Sequence, residues 1–379
     1  MRKPLLVELA VVGMGCALIA AALLANQAWF DRHFLPSFWT PREEIIQTEQ
    51  RVRIGVGIAG VFIILFLRKP AARLLRRDPV YLFTIALAIG LAIVTAEAVL
   101  RVRAANKSPE LSDRLRPYDS YLGCFVDKSY TRHEMHLGHD YPLVFDPHGY
   151  RVADPASVVD FNAPTIVLTG ESVIVGLKLN WKDTIAAQIS DTLDQQSANV
   201  AIPGLSTDQA YLRLSRELPR FCRPVAVVLL FTPSLFDRNL EDDRPHLGPG
   251  LVWLPPVEHW RLARMVRRVI HYRSDDDVER GIARTREVLA ATVRLAHSRG
   301  AIPLIVVPEF GPELPREREL RQRILDEAHL PYVLVTLDDP ADRVDNDGHP
   351  NANGASTIAE AIADALQPAL ASVASRGGA

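Results

Sequence analysis

An excess of charge of either sign is missing from this chain. Its 379 residues carry 43 Lys and Arg against 45 Asp and Glu, a formal net charge of -2. That balance lacks the basic footprint of a nucleic-acid-binding protein, so no nucleic acid is expected as a partner. Cysteine is scarce, with three in all, which excludes a small disulfide-stapled scaffold. Cys16 falls inside an apolar run, so only Cys124 and Cys222 are left to form one disulfide in an oxidising compartment; two separate thiols are an equal expectation. Internal repeats and low-complexity tracts are absent too, which excludes a solenoid.

What is present is unevenly placed. Hydrophobic residues make up 48% of the chain and crowd its first hundred positions. Residues 5–25 are apolar apart from Glu8 and a few small residues, and at about 1.5 Å per residue they can cross a ~30 Å hydrocarbon core. Residues 54–67 form a shorter run, and 81–100 a long one with Glu97 near its end. The first run is long for a signal peptide and lacks a small-x-small cleavage site. Gly13, Met14 and Gly15 make a poor lipobox before Cys16. The expectation is a membrane anchor over residues 1–103 with three spanning helices, 5–25, 54–67 and 81–100. Arg2 and Lys3 precede the first, and Arg68, Lys69, Arg73, Arg76 and Arg77 separate the second from the third. Basic segments stay cytoplasmic. Three crossings then put the chain after Leu100 on the periplasmic or outer side of a cytoplasmic membrane, the lipid bilayer being its first partner. Glu8 and Glu97 are expected at the membrane boundaries.

Residues 104–163 are polar, with scattered aromatics and prolines, and read as a linker with short strands. From Pro164 to the end, short apolar runs alternate with amphipathic stretches. Strands are expected at 165–168, 198–202, 225–231, 302–307 and 332–337, and helices at 181–193, 208–218, 277–298, 315–328 and 355–370. Residues 232–275 form an insertion rich in Pro, Asp, Trp and Arg. Such alternation implies an α/β domain over 164–379, a three-layer, doubly wound parallel sheet. Ligands bind at the carboxyl ends of such strands, which directs attention to residues 170–176, 203–208, 232–239 and 338–354.

The first of these segments reads Thr169-Gly170-Glu171-Ser172-Val173-Ile174-Val175-Gly176. A serine there, beside free backbone N–H groups of a starting helix, can act as nucleophile if a base is at hand. The ordinary alternative is a serine that caps the helix. The last segment reads Asp345-Asn346-Asp347-Gly348-His349-Pro350-Asn351-Ala352-Asn353-Gly354, with a histidine beside carboxylates, as a Ser-His-Asp arrangement requires.

Taken together these stretches resemble the SGNH/GDSL hydrolases. Gly170-Glu171-Ser172 resembles their Gly-Asp-Ser block, with Glu for Asp. Asn199-Val200-Ala201-Ile202-Pro203-Gly204 resembles the second block, and Asp347-Gly348-His349-Pro350-Asn351 with Gly354 the last. Asp146-Pro147-His148-Gly149-Tyr150-Arg151 resembles a stretch that precedes the first block in membrane-anchored members. The resemblance runs from about residue 145 to 370. It implies an SGNH, flavodoxin-like fold, Ser172 as nucleophile, His349 as base and Asp347 as its carboxylate partner, with Asp345 in reserve. It also implies an oxyanion hole made by the N–H groups of Ser172 and Gly204 and by a side-chain donor from the third block. That block departs from the family: Phe231-Thr232-Pro233-Ser234-Leu235-Phe236-Asp237-Arg238-Asn239 carries no asparagine at the expected place. Ser234 is the candidate there, Asn239 the alternative.

No cofactor is expected, and no metal. His133, Glu134, His136, His139 and Asp140 have ligand-like spacing but read as a solvated polar loop. Arg-rich residues 261–273 read as a solvated helix face, or as a contact for lipid headgroups. The function expected is that of a membrane-anchored serine esterase acting on acyl, including acetyl, esters of envelope glycans or lipids. The alternatives are an O-acyltransferase modifying an envelope polysaccharide and a non-catalytic scaffold on the same fold.

Overall fold

The computed structural model describes residues 2–34, 42–77, 80–105, 119–338 and 340–377. The first part of the expected linker lies outside the described residues. The chain separates into two compact units. One holds the N-terminal helices through residue 105 together with Glu258–Ser274; the other holds residues 119 to 257 and those from Asp275 onward.

In the first unit, α1 (Arg2–Leu24) is followed by a short α2 (Gln27–His33), whose first turn is capped by the Asn26 side chain accepting from Trp29 N at 2.9 Å. α3 (Arg42–Phe62) continues through a π turn (Ile63–Leu67) into α4 (Arg68–Arg77), and α5 spans Val80–Ala105. Among the described residues, three stretches are long and apolar enough to cross a membrane: Leu6–Leu24, Glu43–Leu74 and Phe83–Arg103. The middle one is much longer than the apolar run at 54–67. Nothing between Glu43 and Arg53 breaks a helix, and Glu43 and Glu44 suit the positive end of its dipole. α1 and α3 cross where Gly15 faces Gly60. A Cβ on Gly60 would lie 2.6 Å from the Gly15 carbonyl oxygen, and one on Gly15 would lie 2.7 Å from that of Gly60. Small residues of this kind let helix backbones approach closely.

The second unit is a mixed α/β structure around a large, mostly parallel sheet. Its strands are β1 (Tyr130–His136), β2 (His139–Phe145), β3 (Arg151–Val152), β4 (Pro164–Thr169), β5 (Gln196–Asn199), β6 (Arg223–Leu230), β9 (Ile302–Phe310) and β10 (Tyr332–Leu337), in the spatial order β1-β2-β3-β5-β4-β6-β9-β10. A separate two-stranded sheet pairs β7 (His246–Leu247) with β8 (Trp253–Leu254). The five parallel strands run 2-1-3-4-5, the doubly wound, flavodoxin-like order. β1–β3 extend the sheet antiparallel from the β5 edge.

Handedness then places the helices. α6 (Ser172–Val175) and α7 (Ile185–Leu193) lie on the crossover from β4 to β5. α8 (Thr207–Glu217), α10 (Asp275–Ser298) and α11 (Pro315–Arg321) lie on crossovers running the other way. Right-handed crossovers put these two sets on opposite faces. The packing agrees: α12 (Ala352–Gly377) lies on α7, and α10 lies on α8. One core cluster holds Val167, Val200, Leu214, Phe221 and Val227 with Tyr150. The carboxyl ends of β4, β5 and β6 therefore open onto residues 170–176, 200–206 and 231–239.

Cys124 and Cys222 are thiols and not a disulfide. Gly123, next to Cys124, lies against Gln209 at the start of α8, while Cys222 follows that helix's far end. An 11-residue helix is about 16 Å long, far beyond the ~7 Å a disulfide spans between Cα atoms.

Candidate active site

Ser172 opens α6, a helix of only four residues that needs outside support. Two register partners across β3 and β5, Arg151 and Asn199, provide it. Directly opposed residues share a face of the sheet. Asn199 Nδ2 donates to Ile174 O at 2.6 Å, and Arg151 donates to the carbonyls of Val175, Gly176 and Leu179, the last at 2.6 Å. Both side chains are fully buried. The orphan carbonyls at the end of α6 are thus satisfied. Burial brings the Arg151 guanidinium down to about 10, so it stays charged at neutral pH.

The other end of α6 is held by Glu171, whose carboxylate accepts from Ser172 N at 2.7 Å and Val173 N at 3.2 Å. It also accepts from Ser172 Oγ at 2.5 Å and from Arg238 Nη1 at 3.1 Å. In this rotamer the Ser172 hydroxyl faces Glu171. The cap is therefore Glu171, and its carboxylate occupies one of the N–H groups expected in the oxyanion hole.

The last loop is built around Asn351. Its Oδ1 accepts from Asn353 N and Gly354 N at 3.0 and 3.1 Å, capping α12, and its Nδ2 donates to Ala341 O and Arg343 O at 2.7 and 3.0 Å. The loop presents a buried His349 whose Nδ1 lies 2.5 Å from Asp347 Oδ1. Asp347 Oδ1 also accepts from His349 N at 3.0 Å. Its other oxygen is ion-paired with Lys178. Burial alone would raise the Asp347 carboxyl; the hydrogen bond to His349 and the pairing with Lys178 outweigh it and hold the group well below the usual carboxylate range. Lys178 follows α6 by three residues and takes a left-handed φ of 59°. It ties the last loop to the segment that carries Ser172. The backbone carbonyl of Asp345 lies 2.7 Å from His136 Nε2.

Gly204 sits in the turn after β5 with φ 78°, and its carbonyl accepts from Arg244 at 2.7 Å. Ser234, half-buried, is the second residue of a 3-10 helix, Pro233–Leu240. Asn239 is committed elsewhere: buried, it donates to Thr207 Oγ1 at 3.0 Å and Thr285 Oγ1 at 2.9 Å and accepts from Thr207 N at 2.9 Å. It braces the loops and has no amide hydrogen left over. Thr232, passed over in the sequence, is buried, and its hydroxyl finds no hydrogen-bond partner among the described residues. It lines a small cavity with Gly170, Glu171, Ser206, Thr207 and Arg238. Lys178 and Arg238 were also missed, because their partners lie far away in sequence.

The histidine cluster is a hairpin of β1 and β2, turned by Leu137 and Gly138 at positive φ, with His133 Nδ1 2.7 Å from Asp140. Among the described residues no group of three or more His, Cys, Asp or Glu is placed to hold a metal.

No family profile and no curated protein matches the chain. Solved structures similar to it include a protein of the lipolytic G-D-S-L family from Desulfitobacterium hafniense (13% identity, TM-score 0.34, 54% of this chain and 99% of that one). An acetyl xylan esterase from the rumen bacterium Butyrivibrio proteoclasticus is another (11%, 0.35, 57% and 66%). A carbohydrate esterase is a third (12%, 0.37, 64% and 85%). At these scores the likeness carries no argument, and the functional reading stands on the geometry.

Proposed function

We propose that this chain is a serine esterase of the SGNH kind, anchored in the cytoplasmic membrane with its sheet unit outside, acting on acyl esters of envelope glycans or lipids. One observation carries the reading. Ser172 stands at the carboxyl end of the first parallel strand, and a buried His349 paired with Asp347 stands after the last, tied by Lys178 to the segment following Ser172. Asp347 fixes the imidazole so that its other nitrogen serves as base, and stabilises the imidazolium that forms.

For reaction, Ser172 Oγ turns from Glu171 and gives its proton to His349 as it attacks the acyl carbonyl. The tetrahedral oxygen is received by Gly204 N–H, by Ser172 N–H once the Glu171 carboxylate moves aside, and by a hydroxyl of the third block, Ser234 or Thr232. His349 then protonates the leaving alcohol, and water repeats the sequence to free the acid.

The test is hydrolysis of a chromogenic acetyl ester by the full chain in detergent. Ser172→Ala and His349→Ala should each lower kcat by roughly 10³-fold or more, with the fold intact by circular dichroism. Wild-type rates in the Ser172→Ala protein would refute the reading.

A further inference from the structure

Glu258–Ser274, inside the long insertion, folds with the N-terminal helices and not with the sheet that precedes and follows it in sequence. It contains α9 (Arg261–Val269). Two staples fix the segment. At its start, Glu97 near the end of α5 is buried and accepts from Arg261 N at 3.1 Å and Leu262 N at 2.9 Å, while holding Arg101 Nε at 2.7 Å. Trp260, at the cap position, offers no side-chain bond; a carboxylate from another helix does that work, where the α9 dipole favours it. At its end, Arg273 N donates to His33 O at 2.8 Å, and His33 Nδ1 lies 2.7 Å from Arg273 O. The His33 ring stacks on Tyr272 at 5.2 Å, with Trp29 and Phe34 around it.

These staples sit just after the first apolar helix and near the end of the third. Helices that cross in alternation put those two ends on the same face of the bilayer, so a segment pinned at both lies along that face. On α9, Leu262, Met265 and Val266 occupy one side and Arg261, Arg264 and Arg267 the other, at helical spacing. Trp260, Met265, Val266 and Ile270 are each about half exposed, at 56%, 49%, 47% and 53%. Exposed apolar side chains, a basic opposite face and flanking Trp and Tyr are the chemistry of a helix lying in a headgroup layer.

We propose that residues 258–274 are an in-plane membrane-surface clamp that sinks its apolar side into the outer leaflet and binds anionic phospholipid headgroups through its arginines. This rests on the three long apolar helices being membrane spans, not on the esterase chemistry. The clamp gives the insertion its own contact with the bilayer, beside that of the spans.

The test uses the full chain in nanodiscs, with Cys16, Cys124 and Cys222 replaced by alanine and single nitroxides at Met265→Cys, Val266→Cys, Leu87→Cys as the span control and Met135→Cys as the water control. Oxygen-to-nickel accessibility at 265 and 266 should resemble that at 87 and be several-fold above that at 135. Adding phosphatidylglycerol to phosphatidylcholine should raise it further, and the combined Arg261→Gln, Arg264→Gln and Arg267→Gln protein should lose that increment. Water-like values at 265 and 266 with lipid-like values at 87 would overturn the clamp alone. Inaccessibility to both reagents, with spin–spin broadening, would overturn it in favour of a second copy of the chain. Water-like values at 87 would overturn the spans and the clamp together. Lipid-like values without any effect of phosphatidylglycerol would overturn the anionic-headgroup contact.

Discussion

On the chemistry proposed above, shortening one side chain should speed acylation of Ser172. Glu171 holds the Ser172 hydroxyl in a 2.5 Å charge-assisted hydrogen bond, and reaction requires that hydroxyl to turn to His349. A hydrogen bond to a charged group contributes about 1.5–3 kcal/mol and one between neutral groups about 0.5–1.5 kcal/mol. The exchange therefore costs about 1 kcal/mol or somewhat more, close to a tenfold reduction of the reactive rotamer. Glu171→Asp keeps the charge near Arg238 and the start of α6 but withdraws the carboxylate by one methylene. Pre-steady-state acylation with a chromogenic acetyl ester should rise about tenfold, with KM little changed because the restraint acts on the enzyme and not on the substrate. An unchanged rate would show that Glu171 does not restrain the nucleophile. A large fall, with the fold intact, would mean that the longer carboxylate takes part in the chemistry.

Four further outcomes are expected. Asp347→Asn should lower kcat by about 10²–10⁴-fold and Asp345→Asn far less, since Asp347 Oδ1 lies against the imidazole Nδ1; steady-state kinetics on both proteins decides, and the opposite order would reverse the assignment. Arg151→Met removes a buried cation from three carbonyls, so thermal unfolding of the full chain in detergent should show a loss of about 3–5 kcal/mol, with activity falling alongside. Glu309 is pushed up from 4.5 to about 8, first by burial and then by the charges of Glu313 and Glu317. The stability its neutral form contributes is complete below 4.5 and is lost progressively as pH rises to about 8, so the melting temperature of Glu309→Gln should fall less over that window than wild type, and equal pH slopes would refute this. Finally, protease added to intact spheroplasts should remove the sheet unit, as the basic residues between the second and third apolar helices require; protection until lysis would reverse the orientation.

What the sequence made legible was local. Apolar, β-branched runs such as 225–231 and 332–337 mark strands because strand periodicity and burial are written in neighbouring residues. The spacing of Asp347 and His349 anticipates their contact, because two residues in one turn meet without help from the rest of the fold. The β1–β3 edge was less clear, since β1 carries polar residues along its length and β3 is only two residues long. What stayed hidden depends on distant partners or on side-chain rotation. Lys178 meets Asp347 across 169 residues, and Arg238 meets Glu171 across 67. The substitution of Glu for Asp in the first block is visible in the sequence, but not that the longer carboxylate reaches the nucleophile. Asn239 had the right chemistry for an oxyanion donor, yet its amide is used up by Thr207 and Thr285. The extent of α3 was underread because polar residues that continue a helix leave no mark in hydropathy alone.

The placement of residues 258–274 also bears on how the protein can be divided. A cut near residue 111, the obvious site for separating the sheet unit, would free it from the apolar helices while leaving this stretch of chain in the product. Its Glu97 and His33 partners would be gone, and Trp260, Met265, Val266, Ile270 and Tyr272 would have nothing to lie against. Such a fragment would carry an orphaned sticky strip in its middle and should self-associate. Replacing residues 258–274 with a short polar linker, together with the N-terminal cut, follows the boundaries the molecule itself uses.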